Sequence, residues 1–597
     1  MAKSKNLNGL NADGPISEND DSTSNISNIS SANSEPLPEF IDVIQKGKTK
    51  EFYKAMFAEY CECSTIHGVR YIGERRRSWI ERVFWLIIFG ISIYICVTLI
   101  QNIWKKWHST PVIVSFADKS TPIWQIPMPT ITICPDNKSN SSLFRFENYE
   151  AQIRENISNY DTWNRQEKRF MDINLQVCDY TDKDFFNFTD KVYKGNFLKE
   201  LKKLYPKPDF LFPITRFDDV MAFNDYKQFF DIVVTEFGVC YSFNMLPLEN
   251  IYKKRTVTDE LINFAHDGDQ DPETVLRYDR STTWTLETGF SEDGNQLFPY
   301  RMYNSVMENG LLILIYGRKS DIDPICGEGD EGFKFAVSTP GDIPQLSKQY
   351  SSVPFSYEVL VDITPELITT DETAVDYSPK IRQCFYENER RLAYFQSYSQ
   401  ANCEFECLTN YTLAKCKCVR FNMPRAKNTH TCGAAKISCY QEAKRELMEK
   451  DFQQSTQNNT KNKVKVPDCD CLPSCTTLSY SYGITQAPLQ EDIDEEDEYR
   501  TTKFLIYFKD NRFWSQERAK LYGVIDFTAN AGGLLGLFMG ISILSFVELF
   551  YFISVRLIGN IKLRYCSGVR RNIEQQVHEI QRRFSNVSET FRNEYNF

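Results

Sequence analysis

FTANAGGLLGLFMGISILSFV, running from Phe527 to Val547, is 21 residues without a charge. At about 1.5 Å per residue, a helix of that length matches a hydrocarbon layer of about 30 Å. After Glu548 a further apolar run continues to Val555. The composition is unusual for a span. Asn530, Ser542 and Ser545 are polar, and Gly532, Gly533, Gly536 and Gly540 offer no side chain. Polar groups inside a membrane segment generally serve a function. Gly532, Gly536 and Gly540 recur every four residues, so a helix places them on one face, where backbones can approach closely. Glycine also suits non-helical backbone, which is tolerable at membrane depth where it lines a water-filled path. The simpler alternative is a helix-packing motif with no part in conduction.

A second charge-free run lies far upstream. Val83 to Ile103 (VFWLIIFGISIYICVTLIQNI) is again 21 residues. A buried core helix is the alternative to a span, but core helices seldom stay apolar all round for so long. Basic residues flank the outer margins of the pair. Arg70, Arg75, Arg76, Arg77 and Arg82 precede the first run, and Arg556, Lys562, Arg564, Arg570 and Arg571 follow the second. Their facing ends carry only Lys105, Lys106, Arg518 and Lys520. The bias predicts a two-span, multi-pass protein with both termini cytoplasmic and the intervening residues outside.

The expected segments follow. Residues 1–50 are a disordered cytoplasmic N-terminus, polar and rich in Ser and Asn, with no apolar region of a signal peptide. Residues 51–82 form a cytoplasmic approach to the first transmembrane helix, 83–103. Residues 104–523 form a cysteine-rich extracellular domain. The second transmembrane helix occupies 524–555, and 556–597 is a cytoplasmic tail. A net charge of −11 argues against a nucleic-acid partner.

Of 18 cysteines, fourteen lie between the spans: 134, 178, 240, 326, 384, 403, 407, 416, 418, 432, 439, 469, 471 and 475. An even, dense set in an outside segment reads as a disulfide framework. Zinc is the rival, but the tight pairs are CxxxC and CxC with almost no histidine nearby. The same region carries glycosylation sequons at Asn137, Asn140, Asn156, Asn187, Asn410 and Asn458. Sequons at Asn25, Asn28 and Asn586 fall in the cytoplasmic ends, so sequons alone settle nothing.

Strands are predicted over Gly238–Asn244, Gly310–Tyr316, Gly332–Ser338, Tyr357–Thr364 and Lys503–Phe508, from alternating or β-branched character beside Gly, Pro or Asp. Helices are predicted over Arg382–Asn410 and Ser438–Lys450, and a loop over Gln453–Lys465. The acidic run Glu491–Glu498 reads either as a solvated loop or as a cation-attracting surface near a pore mouth.

The motifs then line up in order. They are Ser64-Thr65-Ile66-His67-Gly68 before the first span, Pro129-Thr130-Ile131-Thr132-Ile133-Cys134 after it, Gly238-Val239-Cys240-Tyr241-Ser242-Phe243-Asn244, and Arg382-Gln383-Cys384-Phe385-Tyr386-Glu387-Asn388-Glu389. The last ten outer cysteines and Gly540-Ile541-Ser542 complete the set. With a span at each end, the chain from about Phe57 to Tyr551 resembles the degenerin/epithelial sodium channel family, and within it the insect pickpocket branch.

The resemblance implies an α+β membrane protein. Two transmembrane helices would flank a disulfide-rich outer domain with a central β-sheet and a stapled helical thumb, assembled as a trimeric channel in the plasma membrane. It implies an amiloride-sensitive sodium channel subunit, in a homo- or heterotrimer with related subunits. The only ion concerned would be transported sodium, with no cofactor and no catalysis. Gly540, Ile541 and Ser542 match the family's selectivity filter. Ala529 falls at its small residue above the glycine run, where side chains converge as the pore closes. His67 and Gly68 match its cytoplasmic gating pair, and Gly532 and Gly536 line the same face as Gly540. Glu548 corresponds to a family carboxylate facing the permeation path, while snorkelling to the cytoplasmic interface is its bare reading.

The family order carries over the pairs Cys134–Cys240, Cys384–Cys475, Cys403–Cys471, Cys407–Cys469, Cys416–Cys439 and Cys418–Cys432. Cys403 and Cys407 share a helix face, and Cys469 and Cys471 would share a strand face. The remaining family bridge needs a cysteine between Cys178 and Cys240, and none exists, so Cys326 is paired with Cys178 by elimination. ATP-gated purinergic receptors share the topology but lack the filter and the nested cysteines. A membrane-anchored enzyme is disfavoured by the lack of H-E-x-x-H, G-x-S-x-G or a phosphate loop. An adhesion ectodomain has no use for glycines and an acid in its second span. The stimulus stays open among chemical, osmotic and mechanical gating, as does sensory against epithelial transport. With only His266 and His430 well inside the outer domain, a histidine-based proton sensor is disfavoured.

Overall fold

The computed structural model describes the chain except for residues 1–48, 75–76, 110–111, 156–161, 181–189, 207–210, 255–258, 266–279, 281, 292–297, 327–330, 457–468, 490–498 and 595–597. The expected disorder over 1–50, the sequons at Asn156, Asn187 and Asn458, His266 and the acidic run Glu491–Glu498 lie wholly or mostly outside the described residues. The chain divides into two compact units, one of residues 1–105 with 524–597 and one of residues 106–523.

In the first unit the apolar run of the first span is part of one helix, Trp79–Ser109. Only 6% of its most apolar window is buried, which removes the core-helix alternative. The second span is not one helix. It runs Val524–Met539, breaks at Gly540–Ser542, resumes over Ile543–Tyr551, passes through a π-turn at Phe552–Arg556 and continues as Leu557–Glu594. A short Thr49–Cys63 helix and a Val69–Gly73 turn precede the first span.

Among its described residues the second unit has fifteen strands: β1 (Val112–Phe116), β2 (Thr121–Pro122), β3 (Thr130–Pro135), β4 (Ile214–Phe217), β5 (Val220–Phe223), β6 (Phe230–Thr235), β7 (Gly238–Phe243), β8 (Leu311–Arg318), β9 (Gly332–Ser338), β10 (Ser351–Pro354), β11 (Tyr357–Thr370), β12 (Thr477–Pro488), β13 (Tyr499–Phe508), β14 (Arg512–Phe513) and β15 (Gln516–Lys520). One sheet has the order β1-β15-β11-β13-β8-β4-β5, with β12 also paired to β11. A second has the order β10-β9-β3-β7-β6. Alternation explains the first. Leu311, Ile313 and Ile315 of β8, Val359, Val361 and Ile363 of β11, and Phe504, Ile506 and Phe508 of β13 all turn the same way into the core. In the second sheet β3 and β7 are buried on both faces, and the hydroxyls this encloses are hydrogen-bonded, Thr130 to Asn244 O and Thr132 to Ser242. Phe335 meets Phe504 with ring centroids 4.9 Å apart, joining the two sheets. Antiparallel pairing of Val112 with Lys520 sets the two chain ends of this unit side by side.

Strand β11 continues to Thr370, past the predicted stop at Thr364 and through Pro365. On one edge it pairs with β12 along most of its length. On the other, β13 ends at Ile363↔Phe508 and β15 begins at Ile368↔Gln516. Pro365 falls in that interval, where its missing N–H costs least. Asn244 closes β7 in a left-handed conformation with φ of 59°. Its Nδ2 donates to Met128 O at 2.5 Å and its Oδ1 accepts from Tyr300 N at 2.6 Å, which pins two loops to the strand end.

The cysteine-dense part departs from the predicted helix over Arg382–Asn410. A single turn, Pro379–Arg382, ends at Gln383 with φ of 62°, and the helix proper is Gln400–Cys416 behind the N-cap Ser399. Arg382 is fully buried and donates to Val375 O and Tyr377 O, both at 2.8 Å, and to Glu389. That cluster folds the intervening charges around a local turn. The second helix, Ile437–Thr456, covers the predicted Ser438–Lys450 and extends into the predicted loop. Lys415 joins the two helices through Glu442 at 2.8 Å and Glu446 at 2.9 Å.

Seven disulfides are present: Cys134–Cys240, Cys178–Cys326, Cys384–Cys475, Cys403–Cys471, Cys407–Cys469, Cys416–Cys439 and Cys418–Cys432. The last five nest inside one another. Cys469 and Cys471 sit in irregular chain before β12, not on a strand, with Asp470 between them left-handed at φ of 45°, and they meet Cys407 and Cys403 on their helix. Asn410 is exposed on that helix, while Asn137 and Asn140 are half-buried in turns where each accepts from the N–H two residues on. Cys61, Cys63, Cys96 and Cys566 are free.

Removing a native disulfide typically costs about 2–5 kcal/mol. Cys407→Ser is therefore expected to reduce surface delivery several-fold, read by surface biotinylation. Non-reducing peptide mapping of the parent should recover Cys407 joined to Cys469, and any other partner contradicts the nested arrangement.

A pH dependence follows from Asp172, 7% exposed on the Arg165–Val177 helix. Burial pushes its carboxyl up to about 7, opposed by hydrogen bonds from Ala434 N and Gln176 and reinforced by Asp190. Tyr193 and Tyr440 also feel its charge. A carboxyl raised on folding binds its proton more tightly in the native state, so its stabilisation is full below its unfolded value and is lost as pH rises through about 7. Asp172→Asn keeps the neutral form. Melting of the purified protein should show the variant gaining on the parent from pH 5 to pH 8, by on the order of 1 kcal/mol or more. A difference independent of pH contradicts this.

Candidate pore-lining helix break

Gly540 ends the Val524–Met539 helix in the left-handed region, with φ of 66°. A residue there is the common glycine stop of a helix. The position excludes a side chain for a second reason. A Cβ built on Gly540 would lie 2.8 Å from the His67 ring. Two residues later Ser542 starts the next helix. Its Oγ accepts from Ser545 N at 3.3 Å while Ser545 Oγ accepts from Ser542 N at 3.1 Å, a reciprocal cap. Gly540-Ile541-Ser542 is thus a stop signal, a spacer and a start signal, and the carbonyls of Gly540 and Ile541 lie outside both helices.

A helix end leaves carbonyls that need donors. Ser92 Oγ of the first span donates to Phe538 O at 2.8 Å, and His67 N donates to Met539 O at 2.9 Å. His67 reaches this point because Gly68 turns the chain in the left-handed region, with φ of 85°, ahead of the Val69–Gly73 turn. Thr65 Oγ1 meets Ser545 Oγ at 2.8 Å and donates to Glu548 Oε2 at 3.1 Å, and Thr65 N donates to the same oxygen at 3.4 Å. Farther along, Arg556 holds Glu59 through Nε at 3.1 Å and Nη2 at 2.5 Å. Tyr60 and Phe552 meet edge to face at 5.4 Å beside them. The Ser64–Gly68 segment therefore docks along the broken helix from the break to Glu548.

His67, Gly68, Gly540, Ser542 and Glu548 are brought together in this one cluster, with Ile541 as its spacer. Ala529, Gly532 and Gly536 lie up the preceding helix. Ala529 is exposed, and a Cβ on Gly532 would meet nothing within 4 Å, so this small-residue face is open in the single chain. Thr65, Ser92 and Ser545 carry bonds that sequence reasoning did not assign. The Ser542-x-x-Ser545 spacing matches a capping box, and Ser92 is a hydroxyl inside an otherwise apolar span, so both left a legible trace.

Residues 60–552 match the family described as amiloride-sensitive sodium channel. The chain is similar to pickpocket protein 28 of Drosophila melanogaster, 26% identical over 522 residues, 83% of this chain and 78% of that protein. It is similar to the sodium channel protein Nach of Drosophila melanogaster, 21% identical over 535 residues, 86% of this chain and 89% of the relative. It is also similar to human acid-sensing ion channel 2, 25% identical over 516 residues, 83% of this chain and 85% of the relative. A family of ion channels, matched from the first helix through the break at Gly540, leaves no place for an enzyme. The chain is a two-span cation-channel subunit and belongs to the amiloride-sensitive sodium channel family.

Proposed function

We propose that the chain is one subunit of a trimeric, amiloride-sensitive, sodium-selective channel of the plasma membrane, with both termini cytoplasmic. The observation that carries this is the helix break at Gly540–Ser542. The Val524–Met539 helix is 16 residues, about 24 Å, which is shorter than an apolar layer of about 30 Å. The break then falls within the layer. Unpaired backbone there is tolerated only against protein or water. With Phe538 O and Met539 O already occupied, the Gly540 and Ile541 carbonyls are the groups free to replace the hydration shell of a sodium ion. Three copies of the open face of Ala529, Gly532 and Gly536, packed around an axis, bring three such breaks together.

The docked Ser64–Gly68 segment supports the gating role of His67 and Gly68. It grips the pore helix on both sides of the break, so its movement is felt at the filter. Glu548 is tied to that segment through Thr65 rather than left to snorkel, which favours its place on the inner part of the path. The basic flanks of the spans support cytoplasmic termini. A sensory channel gated chemically, osmotically or mechanically, and an epithelial sodium pathway, both fit this construction.

Substitutions at the break test the reading. Gly540→Ala must place a methyl against the His67 ring and leave the left-handed region, a cost of about 1–2 kcal/mol for the backbone alone. It should alter the sodium/potassium permeability ratio or abolish current at near-normal surface expression. Ser542→Cys should do the same through loss of the cap. Wild-type selectivity in both removes the filter from this position.

Ala529 tests the closing constriction. Overpacking costs on the order of 1–3 kcal/mol per site, and three symmetric copies multiply it. A closed state favoured by a few kcal/mol then loses, since about 5.5 kcal/mol takes an equilibrium from 1:99 to 99:1. Ala529→Val should give a standing, amiloride-sensitive sodium current without stimulus. A variant that reaches the surface and stays silent contradicts the placement.

A further inference from the structure

A cavity of about 600 Å³ lies in the outer unit where the Gln400–Cys416 and Ile437–Thr456 helices meet the β6–β7 turn and the Cys178–Cys326 disulfide. Its wall has two characters. One part is apolar, with Phe237, Phe405, Leu408 and Leu447. The other is charged, and the charges do not balance. Five lysines and one arginine face four carboxylates.

Several of these charges are already matched. Lys348 pairs with Glu404 at 2.5 Å and Arg420 with Asp179 at 3.6 Å. Lys334 is held by Asp136 at 3.2 Å behind the wall. The Glu236 carboxylate accepts from Ser347 N at 2.5 Å. Lys450 also has a partner, and two ammonium groups, Lys138 and Lys444, are left without an ion pair among the described residues. Lys138 is 8% exposed, and its Nζ donates to the carbonyl of Pro135 at 2.6 Å, with the Phe237 ring 5.4 Å away. That uses one of three N–H groups. Lys444 makes no hydrogen bond or close ion pair among the described residues, and feels the Glu236 and Asp179 carboxylates only at longer range.

Other donors repeat the pattern. The Tyr440 hydroxyl, on a residue 4% exposed, and the Arg420 Nε are buried without a partner among the described residues. Tyr440, Lys444 and Leu447 stand at helical spacing on one face of the Ile437–Thr456 helix, so donor, cation and apolar side chain are presented in a row. Burial holds the Lys138 ammonium down to about 8 and lowers Lys444 as well, and it pushes the Tyr440 phenol up, so that phenol keeps its proton to donate.

Buried donors and cations without acceptors are costly. An anion relieves several at once. A space of about this volume, with an apolar patch beside buried polar and charged groups, has the size of a small-molecule site. We propose that this cavity binds a small amphipathic organic anion, its carboxylate or sulfonate between Lys444, Lys138 and the Tyr440 hydroxyl and its apolar body against Phe237, Phe405 and Leu408. The walls come from both thumb helices and from the sheet-bound turn they rest on, so an occupant ties these elements together.

The test is direct binding and does not require conduction, so it stands or falls apart from the channel reading. The full-length protein in zwitterionic lipid nanodiscs is titrated with 2-naphthoate by equilibrium dialysis, with neutral 2-naphthamide as control. The expected result is saturable naphthoate binding, with naphthamide about tenfold weaker or more. Lys444→Glu should weaken naphthoate about tenfold or more, and Lys444→Arg should retain it. Should Lys444→Glu fail to fold, Lys444→Gln and Lys138→Met carry the same comparison. Absence of saturable binding, equal binding of the amide, or an affinity unchanged by loss of both lysines overturns the proposal.

Discussion

A backbone that leaves the helix inside an apolar layer must find partners for its N–H and C=O groups, because lipid offers none. The helical unit is arranged around that demand at Gly540–Ser542. Ser92 and His67 supply donors to the last carbonyls of the Val524–Met539 helix. Ser542 and Ser545 satisfy each other at the start of the next. Gly540 makes the turn possible and leaves room for the His67 ring. Each of these residues solves a problem that the break creates.

The same logic explains why a short motif ahead of the first span belongs with a distant helix break. Ser64–Gly68 is more than a neighbour of the first span. Its amide, its threonine hydroxyl and its histidine ring occupy consecutive positions along the broken helix, from Met539 to Glu548. The Arg556–Glu59 pair, beside a π-turn, fixes the next stretch. A π-turn inside a helix is a frequent companion of function. The outer unit is stabilised by other means. Its sheets close on a continuous apolar core, and where that core thins beside the two thumb helices, five nested disulfides take over.

Much of this was legible in the sequence. Two uncharged runs announced the spans, and the apolar run of β8 and the Gly238–Asn244 stretch of β7 announced strands, while the strand β3 was not among those expected. The expected cysteine pairs are the ones the structure joins. What escaped notice was set by long-range contact or by special backbone. The charges over Arg382–Asn410 fall at helical spacing, yet Gln383 turns left-handed and Arg382 is buried among carbonyls, which no periodicity reveals. A proline reads as the end of a strand, and Pro365 is tolerated only because β13 and β15 leave a gap beside it. Hydropathy alone shows the second span as one continuous apolar run, while its glycines already read as suited to non-helical backbone, and the break falls at Gly540–Ser542. The stop at Gly540 is an ordinary glycine signal that hydropathy does not weigh. Thr65 and Glu548 lie nearly at opposite ends of the chain, and nothing local marks them as partners.

The central claim is that the backbone between Gly540 and Ser542 faces the conduction path. Cysteine accessibility under voltage clamp tests it most directly, with Ser542→Cys compared against Ile543→Cys in cells where each carries current. The account predicts that Cd²⁺ blocks the Ser542→Cys channel and spares Ile543→Cys, the next residue, which opens the following helix and is turned by about 100° from it. Block at Ile543→Cys with none at Ser542→Cys would contradict it.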